Sequence, residues 1–172
     1  MSSRIRLVTL ADAPRLAELQ VQNRAFLAPW DPVRGDVYFT VAGQRMDVAA
    51  ALERYQRGEA VPLVILDDDR AVVGRLTLSG IVRGPFQSCS LGYWVAEPST
   101  GRGLATEAVQ AAVTVVFGTL GLHRVEAGTL RHNARSQRVL VKAGFEQFGL
   151  APRYLKIAGT WQDHVLFQRL SE

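Results

Sequence analysis

The densest group of residues able to do chemistry in this 172-residue chain lies at 91–110, Leu-Gly-Tyr-Trp-Val-Ala-Glu-Pro-Ser-Thr-Gly-Arg-Gly-Leu-Ala-Thr-Glu-Ala-Val-Gln. Residues 91–95 are aromatic and β-branched, as in a buried strand. Glu97-Pro98-Ser99-Thr100 breaks that strand, Gly101-Arg102-Gly103 turns the chain, and from Leu104 the apolar residues fall at helical spacing. Strand, glycine turn and helix N-terminus in that order make an anion site. Glycines let backbone N–H groups approach a phosphate closely, and the helix dipole favours negative charge there. Arg102 adds a cation. The stretch suits a pyrophosphate, although the same glycines also fit an ordinary strand-to-helix turn.

Composition excludes several other chemistries. Cys89 is the single cysteine, so there is no disulfide framework and no cysteine zinc cluster. His123, His132 and His164 lack metal-ligand spacing, and no metal is expected. Apolar residues make up 48% and charged residues 21%, the balance of a globular domain. The formal net charge of +4 is spread along the chain with no Lys/Arg run; it suits anionic small molecules at least as well as polymers, and no direct nucleic-acid binding is expected. No apolar run is long enough to span a bilayer and the N-terminus lacks an apolar signal region, so the cytoplasm is the expected compartment.

The elements that must position the turn can be read along the chain. Residues 5–9 alternate as a first strand. Residues 10–23 form a helix, with Pro14 confined to its first turn. In 23–32, Pro29 and Pro32 beside Phe26 and Trp30 predict a rigid, non-helical loop, either a packed connector or a pocket wall. Residues 40–57 form a second helix, with Val41, Met46, Val48, Ala49, Leu52 and Tyr55 on its apolar side and Gly58 at its end. Residues 61–66 are a strand, 67–70 a turn, and 71–81 a longer strand broken by Gly74. Another turn at 83–86 leads into the strand ending at Val95, so the three strands form an antiparallel meander. A helix at 103–119, a strand at 124–129, a helix at 133–143 and strands at 146–154 and 160–169 follow. The order predicts an α+β fold on one central mixed sheet flanked by helices, as a single domain over residues 1–172.

Three kinds of glycine turn compete for residues 100–106. A P-loop ends in Gly-Lys-Ser/Thr, where Gly103-Leu104 stands here. A dinucleotide turn follows the first strand directly and needs a third small residue where Thr106 sits. A meander precedes this turn instead, although Glu126 lies at a distance suited to a ribose contact. The third kind carries further matches. Thr100-Gly101-Arg102-Gly103-Leu104-Ala105, then Thr106-Glu107-Ala108, resembles the acyl-CoA turn of the GCN5-related N-acetyltransferases, with Thr100 in place of the family's Gln or Arg. Leu-His-Arg-Val-Glu-Ala at 122–127, Asn-Ala-Arg-Ser at 133–136 and Lys-Ala-Gly-Phe at 142–145 follow in the family's order and spacing. The tail at 154–166 and Phe26-Leu27-Ala28-Pro29-Trp30 resemble the ribosomal-protein-alanine N-acetyltransferase branch, the RimJ/RimL type.

The resemblance implies transfer of an acetyl group from acetyl-CoA to an amine. The acceptor it implies first is the N-terminal α-amino group of a protein, such as a ribosomal protein starting with Ala or Ser. A free small-molecule amine, or a non-catalytic acyl-CoA-binding regulatory module, are the alternatives it leaves; a homodimer is compatible with any of them. It implies a mostly antiparallel, splayed sheet whose backbone near Val95 pairs with the pantetheine arm. It places the pyrophosphate on backbone N–H groups of Gly101, Gly103, Ala105 and Thr106, with Arg102 assisting. Asn133 resembles the family asparagine that bonds the pantetheine from the far side. Leu140 stands where the family often has a thiolate-protonating tyrosine, and Ser136 resembles this branch's substitute. An α-amino group with a pKa of about 8 must lose a proton to attack. Glu126, on a strand beside the expected cleft, is the candidate base, and a salt-bridged strand residue is its other reading. Phe26, Trp30, Tyr93 and Tyr154 are candidates to frame the acceptor tunnel, with Arg83 and Gln87 near the strand that would face it. Cys89 is read as a packing residue, and His123 and His164 as structural.

Overall fold

Ala-Val-Pro-Leu-Val-Ile-Leu is apolar at every position, and such a segment is stable only between two covering layers. It forms β2 (Ala60–Leu66), buried along its whole length, in the computed structural model, which describes residues 4–171. β1 (Ile5–Leu7) and β3 (Val72–Val82) flank it antiparallel, and β4 (Ser88–Val95) completes the meander. β5 (Arg124–Leu130), β6 (Glu146–Ile157) and β7 (Thr160–Leu170) extend a seven-stranded sheet of order β1-β2-β3-β4-β5-β7-β6. Among the described strands only β4 and β5 run parallel. Their pairing holds at Ser88↔Arg124, Cys89↔Val125 and Ser90↔Glu126 and stops there, so the mixed, mostly antiparallel sheet is splayed as expected.

Alternation along the strands sorts side chains between two cores. On one face α4 (Leu104–Thr114) and α5 (Ala134–Lys142) bring Leu104, Ala108, Val109 and Leu140 against Leu76, Leu91, Val125 and Phe167. On the other, α1 (Ala13–Gln22) and α3 (Val41–Gln56) bring Leu16, Leu19 and Val48 against Val64, Leu66 and Val72.

The structure differs from the sequence expectation at four places. The segment read as a non-helical loop begins with a short helix, α2 (Arg24–Leu27); both prolines lie beyond it and forbid nothing. α3 turns a different face inward. Met46 is 69% exposed and Val41 and Tyr55 are exposed, while Gly43, Gln44, Val48 and Ala51 are buried. Gly43 sets this rotation, because a Cβ there would lie 1.8 Å from the Val37 carbonyl oxygen. Gly74 does not break β3 but pairs with Ile65 and Val95; its missing side chain lets β4 approach, since a Cβ would lie 2.2 Å from the Trp94 oxygen. The helix expected at 103–119 is α-helical to Thr114 and ends in a π-helical turn, Val115–Thr119.

Candidate active site

Where β4 leaves β5, the two strands open a cleft of about 770 Å³, within the range of small-molecule sites. Tyr93, Trp94 and Val95 of β4, the turn at 99–106 apart from Arg102, one face of α5 along its length, and Phe26, Leu27 and Trp30 line it. Gly101 (φ +76°) and Gly103 (φ +83°) both take the left-handed conformation, which a side chain would strain. Gly103 caps α4, so the unpaired N–H groups of the first helical turn stand at the cleft with Leu104, Ala105 and Thr106. Asn23 holds this turn in place from α1's end. Its buried amide donates to the Leu19 carbonyl at 2.8 Å, and its Oδ1 accepts the Glu97 N–H at 2.7 Å.

Arg102 does not line the cleft. Its guanidinium pairs with Asp68 at 3.2 Å, Asp68 pairs with Arg4 at 2.6 Å, and Arg4 pairs with Glu107 of α4. Arg4 first, and Arg102 after it, hold the Asp68 carboxyl below the usual carboxylate range. A surface guanidinium takes the nearest carboxylate, and the β2–β3 turn supplies one. The cations at the cleft are Arg135, Arg138 and Lys142, which share one face of α5 and have no carboxylate partner among the described residues. Sequence reasoning passed over them, although their helical spacing was the available signal.

Across the cleft from the glycine turn, Asn133 is the N-cap of α5. Its Oδ1 accepts the Ser136 N–H at 3.1 Å, and its amide N–H groups have no partner among the described residues where Asn133 lines the cleft. The Tyr93 hydroxyl lies 2.8 Å from Ser136 Oγ and 3.3 Å from the Ser136 carbonyl oxygen, and its one proton can go to either. Burial pushes the Tyr93 phenol up to about 12, against the smaller opposite pull of the Ser136 bond. It therefore stays a neutral donor at any ordinary pH. Tyr93, expected in the acceptor tunnel, thus meets Ser136. Leu140, where a tyrosine would stand, is fully buried. Trp30 stacks on His132, a residue not singled out in the sequence, with ring centroids 5.4 Å apart.

Other expected site residues are not brought to this cleft. Arg83 donates to the Leu120 carbonyl, and the Gln87 carbonyl accepts the His123 and Arg124 N–H groups. Both precede β4, at the opposite end of the strand from Val95. Glu126 faces away from α4 and α5 by strand alternation, and its carboxylate pairs with Arg124 at 2.6 Å. Tyr154 packs its ring against His164, centroids 5.6 Å apart, on that same face. Cys89 is buried, with its thiol pushed up to about 12 by desolvation and by Glu126, which removes it as a nucleophile. Among the described residues no His, Cys, Asp or Glu group could hold a metal ion, and no helix is long and apolar enough to cross a membrane.

Comparison with known proteins agrees with this geometry. The profile of the acetyltransferase (GNAT) domain matches residues 4–146. The chain is 39% identical over 163 residues to the [ribosomal protein uS5]-alanine N-acetyltransferase of Escherichia coli, covering 94% of this chain and 84% of that one. Among solved structures, Mycobacterium smegmatis RimJ in complex with CoA-disulfide superposes with a TM-score of 0.93 at 32% identity, covering 97% of this chain and 81% of that one. The ribosomal-protein-S5-alanine acetyltransferase from Vibrio fischeri gives 0.91 at 31% identity, covering 98% and 92%.

Proposed function

The chain belongs to the GNAT acetyltransferase family, and on that premise we propose that it transfers the acetyl group of acetyl-CoA to the N-terminal α-amino group of a protein, a ribosomal protein beginning with Ala or Ser. The observation that carries this reading is the meeting, in one cleft, of a left-handed glycine turn, an unpaired β4 edge and the Ser136–Tyr93 pair.

Each feature meets one demand of acetyl-CoA as substrate. The N–H groups at 101–106 suit its pyrophosphate, and Arg135, Arg138 and Lys142 suit its remaining negative charge. The backbone of β4 around Val95, unpaired on its β5 side, suits the amides of the pantetheine arm, with the Asn133 amide opposite. The Ser136 hydroxyl donates to the leaving thiolate while Tyr93 donates to Ser136, so that Oγ–H is turned outward. Phe26 and Trp30 line the same cleft and add aromatic surface to it. The net charge of +4 favours approach to a ribosomal surface, and the cytoplasm is the compartment such an acceptor requires.

The test is thiol release from acetyl-CoA with the purified protein. Turnover is expected with short peptides beginning with Ala or Ser, and none with their acetyl-blocked copies. Turnover with free amino acids or an aminoglycoside alone would replace the acceptor. Tight acetyl-CoA binding without turnover on any acceptor would leave a binding module. No binding would overturn the reading.

A further inference from the structure

The loss of pairing between β4 and β5 leaves a gap in the sheet beside the cleft. The register ends at Ser90↔Glu126, and continued for one more same-face step it would set Gly92 against Gly128. Both glycines are exposed. Their neighbours Leu91, Val125 and Ala127 point into the core under α4 and α5, so Gly92 and Gly128 face the opposite side. At the point where the strands part, neither strand carries a side chain on that open face.

His164 sits at that opening. It is 3% exposed, and its Cδ2 lies 3.5 Å from where a Gly128 Cβ would be. Its Nδ1 lies 2.9 Å from the Gln162 carbonyl oxygen, which can only accept, so Nδ1 carries the proton and neutral His164 holds its lone pair on Nε2. Nε2 has no hydrogen-bond partner among the described residues. Tyr154 of β6 packs on the ring, Gly128 of β5 and Leu166 of β7 lie beside it, and Leu130 and Ala151 are the cross-strand partners of His164, which forms no ion pair among the described residues. Glu126 lies on the same face one step further from the opening, engaged by Arg124.

Building on the acetyl-transfer reading, and taking the β4–β5 gap as the acceptor's way in, we infer that His164 Nε2 takes the proton of the acceptor amine. The ammonium gives one proton to Nε2, directly or through one water. The free amine then forms the C–N bond at the thioester carbonyl, the C–S bond breaks, and the amine's second proton reaches the thiolate by way of Ser136. His164 returns its proton to solvent through the open face.

The experiment uses the full chain, acetyl-CoA and an Ala-initiated peptide. His164→Asn keeps an amide N–H for the Gln162 carbonyl and removes Nε2. Melting and calorimetric acetyl-CoA binding are expected to stay as in the wild type. The kcat should fall about tenfold at pH 7, one unit below an ordinary α-amino pKa, and return to parity at about pH 9, where that amine is already neutral. A merely structural histidine would give a loss independent of pH. Gly92→Val is the second variant. A Cβ there meets nothing within 4 Å, so the chain should fold, and the branched side chain fills the gap. The peptide KM should rise about tenfold or more with acetyl-CoA binding retained. A pH-independent loss in His164→Asn, the pH-dependent loss in Glu126→Gln instead, or wild-type peptide kinetics in Gly92→Val would each overturn the inference. If His164→Asn does not fold, the pH profile of His164→Gln decides. If the wild type acetylates only a small amine, the peptide reading falls and both variants are read with that amine.

Discussion

Ser136 and Tyr93 are predicted to act as one unit, and a double-mutant cycle measures whether they do. Their hydroxyls lie 2.8 Å apart, and the phenol, pushed up to about 12, remains a donor throughout the assay range. Ser136→Ala removes the donor to the thiolate and should lower kcat by about 10²-fold. Tyr93→Phe removes only the bond that orients Ser136. A hydrogen bond feeding a developing charge is worth about 1.5–3 kcal/mol, so kcat should fall by roughly tenfold to 10²-fold. In the Ser136→Ala background the phenol has nothing left to orient, and Tyr93→Phe should then change kcat by less than about threefold. The coupling energy is therefore nearly the whole effect of the Tyr93 substitution. The assay is single-turnover transfer at saturating acetyl-CoA and peptide, with calorimetric acetyl-CoA binding and melting curves for each variant. Replacing acetyl-CoA by an acetyl thioester with a more acidic leaving thiol should shrink both single effects. Additive losses, or a Tyr93→Phe defect confined to the peptide KM, would refute the coupling and return Tyr93 to the acceptor side.

Three further outcomes follow from the geometry. Arg138→Ala with Lys142→Ala should raise the acetyl-CoA KM several-fold, by about 0.5–1 kcal/mol for each exposed cation, with kcat unchanged and the effect fading at high salt. Asn23→Ala leaves the Glu97 N–H without its partner and should cost about 1–3 kcal/mol, read as a lowered melting temperature together with a raised acetyl-CoA KM. Asp12, bonded to Arg6 at 2.7 and 2.8 Å and to the Thr9 N–H at 2.8 Å, has its carboxyl held below the usual range, chiefly by Arg6. Its stabilisation is complete above an ordinary carboxylate pKa of about 4 and is lost as pH falls through the lowered native value. Asp12→Asn should therefore lower stability at neutral pH, and the gap to the wild type should close in acid denaturation.

Local chemistry was legible in the sequence, and long-range choices were not. The glycine turn, the helix starting near Asn133 and the meander are short-range patterns, and they stand where their residues predicted. Arg102 was misread because its partner Asp68 arrives from a turn 34 residues away. Met46 was misread because the rotation of α3 follows from one glycine lying against the backbone at Val37 rather than from the apolar stripe. Tyr93 and Ser136, 43 residues apart, meet only once β4 and α5 are docked. The lone pair on His164 depends on a carbonyl two residues earlier along β7, which composition does not disclose.

A sheet that unzips in its middle has two interior edges. Beyond Ser90 the β5-facing N–H and C=O groups of β4 stand unladdered, with β3 paired on the strand's other side. Edges of this kind are commonly guarded at a sheet's rim by charge, proline or a covering loop. Here the guard is the guest: a ligand arm with amides of its own can lie along β4 as a missing strand. The resting protein then resembles a receptor awaiting strand donation. Its heat tolerance and its resistance to self-association should track how full that seam is kept, rising with free CoA by mass action even when no acetyl group is moved.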